Sequence, residues 1–597
     1  MQIYDAPLRD MRFVLNELFA DSPYAVAAGS DDLSPDLVDA ILEEASKFAR
    51  NVLLPLNAAG DQEGCRFENG RVSTPKGFKD AYQQFCTGGW PGLSASPEWG
   101  GQGLPETLNK LVEEMVCASN VAFSLYPVLT HGAVKAIEAH ASEALKHRYL
   151  PKMVSGEWSG AMNLTEAHSG TDLGLLRTKA EPRGDGSYGV TGSKIFISSG
   201  DHDMADNIIH LVLARLPDAP PGTKGVSLFL VPKFLPNEDG SLGERNAVFV
   251  AGVEHKMGMK GSATCQLSFE GAIGWMVGEP HKGLAAMFTM MNTERVAVGV
   301  QGLGVAVAAY QAAVAYAKDR VQGRSLSGPK RPDLPADPII VHPDVRRMLM
   351  TMRAYTEGGR ALCQWVSQAL VAERNAEDLE VRASAADFVA LFTPVVKALF
   401  TDIGFEAANL AVQVHGGHGY IREHGVEQYV RDARIFQIYE GANGVQALDL
   451  VGRKLPMAGG RLLKTFFGPV GELIKAQAES GDRRLAGFSG RLHQAFEALE
   501  QATRTILWKS AKDPEEAAAA ASDYLRLMGF VALGYTFLKA TAIARRRIED
   551  GEDVSFFEAK LVTAAFFFDR LLPKATAAFL ALNSGKRSTM ALPVEAF

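Results

Sequence analysis

Met162-Asn163-Leu164-Thr165-Glu166-Ala167-His168-Ser169-Gly170-Thr171-Asp172 marks the place where the character of this chain changes. Before it, from Ser34 to about Ser155, apolar residues follow a helical period. After about Ala161, short runs of β-branched and aromatic residues alternate with turn signals. The segment itself reads as a strand edge running into a turn of small residues. Such a turn presents backbone N–H groups and hydroxyls to a ligand, and an ordinary Asx or Ser/Thr turn accounts for the same residues equally well.

Downstream, the candidate strands are Tyr188–Val190, Lys194–Ile197, Ile208–Ala214, Val226–Val231, Val248–Val253 and Cys265–Phe269. Gly184-Asp185-Gly186, Ser199-Gly200-Asp201 and Asp218–Gly222 punctuate them. Many short strands with such punctuation predict a compact β barrel or sandwich rather than a parallel sheet. Upstream, Ser34-Pro35 predicts a helix start, an N-cap with Pro at the first helical position. Leu37, Ile41, Leu42 and Ala45 follow as its apolar face, Gly88–Pro105 reads as a long structured loop, and a second helical run spans Ala133–Met153. From Gly283 the helical period returns over roughly 283–321, 343–373, 379–414 and 443–454, with a connector marked by Pro329, Pro332, Pro335 and Pro338. Beyond Pro456 the chain is helical again, and Asp513-Pro514-Glu515-Glu516 is a helix start with Glu at the capping-box position. The expected fold is mainly α with a small central β domain. Its divisions are 1–33 (N-terminal extension), 34–160 (helical), 161–280 (β barrel), 281–456 (helical bundle) and 457–597 (helical extension).

The chain has 597 residues, 47% of them hydrophobic and 22% charged, with a net charge of −8. That length suggests about three to four domains with a large core. The net charge supplies no reason to expect nucleic acid or anionic membrane as a partner. Five scattered cysteines without a CxxC pair point to a reducing compartment. With no secretory or transit pattern at the N-terminus and no uninterrupted apolar run of about 18 residues, the expected location is the cytoplasm, without a transmembrane segment.

Four segments carry candidate chemistry. The 162–172 turn suits the polar rim and phosphates of a flavin. In Lys194-Ile195-Phe196-Ile197-Ser198-Ser199-Gly200, alternation places Phe196 and Ser198 on one face; a ring there can cover a flavin, or Phe196 is simply core. Gln413-Val414-His415-Gly416-Gly417-His418-Gly419-Tyr420 puts glycines at a helix end, where a second backbone or a pyrophosphate can approach closely. Its two histidines lack a third ligand at zinc-like spacing, so no metal site is expected. In Ile435-Phe436-Gln437-Ile438-Tyr439-Glu440-Gly441-Ala442-Asn443-Gly444 a single carboxylate stands in an uncharged run. Desolvation there would raise its pKa, as a base for an α-proton requires; alternatively Glu440 caps the helix opening near Asn443. Gly302-Leu303-Gly304 half-resembles a dinucleotide motif but lies inside a helical pattern, not after a strand.

In order and spacing, these segments resemble the acyl-CoA dehydrogenase family. The resemblance is carried by Gly156-Glu157-Trp158, Leu164-Thr165-Glu166, Gly170-Thr171-Asp172, Lys194–Gly200, Met257–Ser262, Gly278-Glu279, Arg320–Arg324, Gly416–Gly419 and Tyr439-Glu440-Gly441. It covers roughly residues 34–455, and the extra C-terminal block looks like the long subfamily that includes 3-methylmercaptopropionyl-CoA dehydrogenases. The resemblance implies FAD between the β domain and the bundle. Met162, Leu164, Thr165, Gly170, Thr171, Phe196 and Ser198 would contact it, while Arg320, Gln322, Gln413, Gly416 and Gly417 would reach the cofactor of a neighbouring subunit. It also implies Glu440 as the base that takes the α-proton of an acyl-CoA while the β carbon gives hydride to the flavin, with Tyr439 and Gly441 beside the substrate. Arg295 matches a substrate-side arginine, or a helix ion pair. The thioester oxygen would be bound by the base's own N–H and a ribityl hydroxyl, an oxyanion device worth about 3–4 kcal/mol per donor.

Ala167, Met162, Phe196, Ala442 and Gly444 stand where the family more often has Pro, Tyr or Phe, Trp, Thr and Gln, and the usual Phe after Gln322 is missing. The expected partners are an acyl-CoA, electron transfer flavoprotein and a second copy in a homodimer. The alternatives are a 3-methylmercaptopropionyl-CoA dehydrogenase, an acyl-CoA oxidase, and a flavin- or acyl-CoA-binding scaffold without turnover.

Overall fold

A computed structural model describes residues 2–25 and 34–597. The chain forms two compact units: Lys47–Leu104 with Ser119–Ala297, and Met1–Ser46 with Pro105–Ala118 and Val298–Phe597.

The first of these units holds a seven-stranded sheet that closes on itself. Asn207–Arg215 pairs with Val226–Pro232, which pairs with Thr264–Val277; that strand pairs with Tyr188–Ser198, then Lys179–Pro182, whose Lys179 meets Arg215. Val248–Val253 adds to Thr264–Val277, and Trp158–Asn163 lies parallel to Asn207–Arg215. Period-two alternation explains the two packed faces. Ile208, Val212 and Ala214 join Val190, Phe229 and Phe269 in one apolar cluster. Ile209, Leu211 and Leu213 join Trp158, Ile137 and Met290 in another.

The expected strands Tyr188–Val190 and Lys194–Ile197 are one strand, Tyr188–Ser198. Gly192 resembles a break in sequence, but it is there because a Cβ would lie 2.4 Å from Thr178 Oγ1. The strand Lys179–Pro182 and the parallel strand Trp158–Asn163 escape the pattern, the latter because small residues replace the β-branched ones. The helical run expected at Ala133–Met153 is two helices, Glu106–His140 and Glu143–Val154, parted at Ser142, whose backbone is extended. Within Glu106–His140, Asn120 leaves helical geometry, and its Oδ1 accepts from Phe123 N at 3.1 Å, restarting the helix as an internal cap.

In the other unit, Ser34 Oγ accepts from Leu37 N at 3.2 Å, capping Pro35–Phe48 as expected. The apolar face is rotated from its expected position: Val38, Leu42 and Ala45 are buried while Leu37 is exposed. Three long helices, Val298–Asp319 (the part of Gly283–Asp319 in this unit), Pro343–Asn375 and Leu379–His415, form a bundle. The Gly302-Leu303-Gly304 run serves helix packing. A Cβ on Gly302 would sit 2.5 Å from the Phe400 carbonyl oxygen, and one on Gly404 would sit 2.5 Å from that of Gly302. Gly302→Ala is expected to lower stability by about 1–3 kcal/mol despite alanine's better helix propensity, because backbone cannot yield as a side chain can. Thermal unfolding checks this, and an unchanged midpoint would contradict it.

Beyond the bundle come Arg461–Ala478, Arg483–Ser510, Pro514–Glu549, Val554–Phe566 and Pro573–Asn583. Asp513 caps the third through Glu515 N, while Glu516 pairs with Lys509. The phenylalanines of this block pack within the chain: Phe567 stacks on Phe537 at 4.6 Å and Phe568 on Phe488 at 4.5 Å. Trp365 of the bundle stacks on Tyr535 at 4.6 Å.

A buried ion network joins both ends of the chain to the bundle. Arg360 bonds Asp10 and Glu114, Lys560 bonds Asp10, and Lys560 also reaches Glu357 at 2.9 Å. Burial pushes the Asp10 carboxyl up, but Lys560 and Arg360 outweigh it and hold it below its ordinary value. Among the described residues, Gly283–Asp319, Leu379–Tyr420 and Pro514–Glu549 are long and apolar enough to cross a membrane by length and composition, although 83–89% of each apolar window is buried within the chain. The expectation of no transmembrane segment rested on the lack of an uninterrupted apolar run, a stricter criterion than high mean hydropathy.

Candidate active site

In the β-containing unit, the 162–172 turn and the 194–198 strand end are held by one buried carboxylate. Glu166 accepts from Thr178 N at 3.0 Å, Thr178 Oγ1 at 2.7 Å, Arg177 N at 2.7 Å and Lys194 Nζ at 2.9 Å. Lys194 Nζ also donates to Leu164 O at 2.9 Å, and Ile195 N donates to Thr165 O at 2.9 Å. Burial would raise the Glu166 carboxyl, but Lys194 and these donors hold it at about 2. Burial lowers Lys194 to about 8, against the opposing pull of Glu166. The clamp fixes Leu164 and Thr165, both half-buried, relative to Ser198.

Simple alternation fails at Phe196. Its φ is 57°, a left-handed backbone that L-residues avoid, and the register shifts opposite it between Cys265 and Leu267. The bulge turns the ring outward, 59% exposed, so Phe196 is not core. Met162 is half-buried, and Gly170 and Thr171 are exposed at the turn. An open aromatic face, two hydroxyls and an exposed glycine turn fit the ring and polar edge of a flavin. Arg295 lies along its own helix, with Nη1 on Asn292 Oδ1 at 3.3 Å and its guanidinium 5.7 Å from the Phe288 ring.

In the bundle-containing unit, Glu440 is half-buried on a left-handed backbone, φ 53°, followed by Gly441 at φ 86°. The N-cap position of the helix Asn443–Asp449 is Ala442, two residues beyond Glu440. Both sides of the turn are anchored. Gln446 Nε2 donates to the carbonyls of Glu440 at 3.0 Å and Gly441 at 3.3 Å, and Tyr439 OH donates to Gln301. Asn443 accepts from the buried Lys397 Nζ at 2.9 Å and donates to Asp402 Oδ1 at 2.8 Å; Gln437 Nε2 meets that same oxygen at 2.7 Å. The positive φ at Glu440 stores backbone strain that this frame sustains, while Gly441 takes its own positive φ at no steric cost.

Leu379–His415 ends at Gly416, φ 59°, and nothing lies within 4 Å of a Cβ built on Gly416 or Gly417. Gln413 is exposed beside them. The histidines are engaged locally: His415 donates from Nδ1 to Ala411 O at 2.8 Å and stacks on Tyr316, and His418 meets Tyr316 OH at 2.9 Å. Exposed Arg320 and Gln322 lead the proline-rich connector, which is organised rather than slack. Asp337 accepts from Ser325 N, Lys330 N and Arg331 N at 2.7–2.9 Å, and these bonds hold its carboxyl at about 2. The frame residues Asp337, Lys397, Asp402 and Gln446 carry no local sequence signal; only the fold shows them.

The comparisons with known proteins account for almost the whole chain. Patterns described as the acyl-CoA dehydrogenase N-terminal, middle and C-terminal domains match residues 36–157, 161–272 and 281–455, and "Acetyl-CoA dehydrogenase C-terminal like" matches 466–593. The chain belongs to the acyl-CoA dehydrogenase family. It is 42% identical to a 3-methylmercaptopropionyl-CoA dehydrogenase of Ruegeria pomeroyi over 96% of this chain and 97% of that one. It is 35% identical to a butyryl-CoA dehydrogenase of Syntrophomonas wolfei over 99% of this chain and 98% of that one. The fold is similar to that of an acyl-CoA dehydrogenase from Bacillus anthracis solved with FAD, at a TM-score of 0.74 and 22% identity, covering 94% of this chain and 90% of that one. As a member of the acyl-CoA dehydrogenases the chain is an oxidoreductase, and its C-terminal helices belong to the family's long form.

Proposed function

We propose that the protein removes two hydrogens across the α and β carbons of a fatty acyl-CoA, with Glu440 as base. The observation that carries this reading is the Glu440-Gly441 turn, a strained carboxylate braced from both sides in an otherwise uncharged run. FAD, when bound, supplies the acceptor for the hydride that leaves the β carbon. Leu164, Thr165, Phe196 and Ser198, with Met162, Gly170 and Thr171, would hold it. Arg320, Gln322, Gln413, Gly416 and Gly417 would serve the cofactor of a second copy in a homodimer. Glu440 takes the α-proton, and its half-burial keeps part of the surrounding water away from the carboxylate. Tyr439 and Gly441 flank the thioester, and Arg295 is a candidate contact on the substrate side. Electron transfer flavoprotein is the proposed acceptor, and the cytoplasm the proposed location.

Anaerobic titration of the purified protein with acyl-CoAs of graded length tests this reading. Loss of the oxidised-flavin band with one length class supports it, and a yellow protein that no acyl-CoA bleaches overturns it. The Ruegeria pomeroyi relative favours a second reading, in which 3-methylmercaptopropionyl-CoA is preferred; faster bleaching by that thioether than by any straight chain would establish it. Peroxide formed without an added acceptor would mark an oxidase instead.

The clamp under the flavin-facing turn gives a pH-dependent expectation. Lys194 is protonated below about 8 and loses its proton as pH rises through that value. Its own titration favours folding at higher pH, since burial penalises the charged form; what disappears is the charged donor to Leu164 O and Glu166. Flavin retention should therefore fall between pH 7 and 9 while the melting temperature changes little. Lys194→Met at pH 7 should lose flavin at least as readily, and should also lose about 3–5 kcal/mol of stability by stranding Glu166. Flavin content after gel filtration at the two pH values decides it, and equal retention throughout would refute the role of the clamp.

A further inference from the structure

We infer that Asp402 and Asn443 act together as positioning residues for Glu440, setting the carboxylate's approach to the α-proton rather than the stability of the fold. The inference rests on the reading of Glu440 as base. Asp402 Oδ1 is the single acceptor shared by Gln437, three residues before Glu440, and Asn443, three residues after it, at 2.7 and 2.8 Å. One atom on the rigid Leu379–His415 helix thereby ties both ends of the strained turn. Asn443 is oriented by its opposite edge, where Oδ1 accepts from Lys397 Nζ at 2.9 Å. Its amide group donates to Asp402 Oδ1 and also to Thr401 Oγ1 at 3.0 Å and Ala398 O at 3.3 Å, so the side chain cannot flip without breaking these bonds.

Asp402 and Asn443 also border a cavity of about 570 Å³, lined besides by Ala398, Ile403, Ala447 and Phe530. A truncated side chain there opens onto space that water can enter. The fold then survives while the turn relaxes. Misplacing a catalytic group by about 1 Å can cost on the order of 100-fold in rate, so the loss belongs in the chemical step.

The test is anaerobic rapid mixing of the flavin-loaded protein with a bleaching acyl-CoA, alongside melting temperature, flavin content and acyl-CoA affinity. Asn443→Ala and Asp402→Ala are each expected to slow bleaching by on the order of 10- to 100-fold. Flavin content and acyl-CoA affinity should stay near those of the wild type. The double variant should fall well short of the product of the two single losses, because the two residues share the Asn443–Asp402 bond. Asp402→Asn, which keeps an acceptor oxygen, should recover part of the rate. Wild-type bleaching rates in the single variants, losses that multiply in the double, or a loss that tracks melting temperature or flavin content would overturn the inference. Failure of the wild-type protein itself to bleach would overturn the assignment of Glu440 as base, and this inference with it.

Discussion

Glu440→Gln should slow the bleaching of flavin by acyl-CoA by about 10²- to 10⁴-fold, the range that a positioned general base contributes. Gln is nearly isosteric, so the left-handed backbone at φ 53° and the bonds from Gln446 to the Glu440 and Gly441 carbonyls should persist. What disappears is the only acidic side chain between Asp432 and Asp449, and an amide cannot accept the α-proton. Flavin content and melting temperature should match the wild type. Acyl-CoA should still bind, because the contacts that hold the substrate are retained and only the proton acceptor is lost. A Gln variant that bleaches within about tenfold of the wild type would place the base elsewhere, since even a weak general base exceeds that factor.

Arg360→Met is expected to be among the most destabilising single changes considered, comparable with Lys194→Met. Arg360 is buried and bonds both Asp10, in the N-terminal helix Leu8–Asn16, and Glu114. Methionine fills most of the volume but leaves the two carboxylates with Lys560 as the remaining cation on Asp10. Removing one partner from a buried ion cluster costs about 3–5 kcal/mol, most of it the cost of the stranded charge. Because Asp10 and Lys560 lie 550 residues apart, the N-terminal helix and the C-terminal extension should loosen together. Limited proteolysis should cut near the N-terminus and near Val554–Phe566 in the variant before it cuts elsewhere. A melting temperature within about 2 °C of the wild type would show that the network is replaceable.

Local residue chemistry predicted much of the architecture. Helical periodicity located the three long bundle helices to within a few residues, because each buries a broad apolar face. Asp513-Pro514 and Ser34-Pro35 announced helix starts because capping uses atoms only two or three residues away. The Tyr-Glu-Gly run singled out Glu440, since an isolated carboxylate among uncharged residues is visible without any fold. Order and spacing of the short motifs then sufficed for the family.

Tertiary structure decided how those residues are held. Phe196 points outward because a bulge opposite Thr264–Val277 breaks an alternation that looks regular in sequence. Glu166 and Lys194 lie 28 residues apart, Asp402 and Asn443 lie 41 apart, and Arg360 and Glu114 lie 246 apart. No periodicity joins such pairs; only packing lowers the dielectric around them and forces each buried charge to find a partner. Gly302 and Gly404 likewise look like ordinary helix residues until two backbones meet at a spacing that leaves no room for a Cβ. The sequence by itself determined most of the long helices and many of the strands, the family and the carboxylate that stands out. The strain on that carboxylate, and the frame that sustains it, arise only when distant segments are brought together, because burial and hydrogen-bond geometry are properties of neighbours in space.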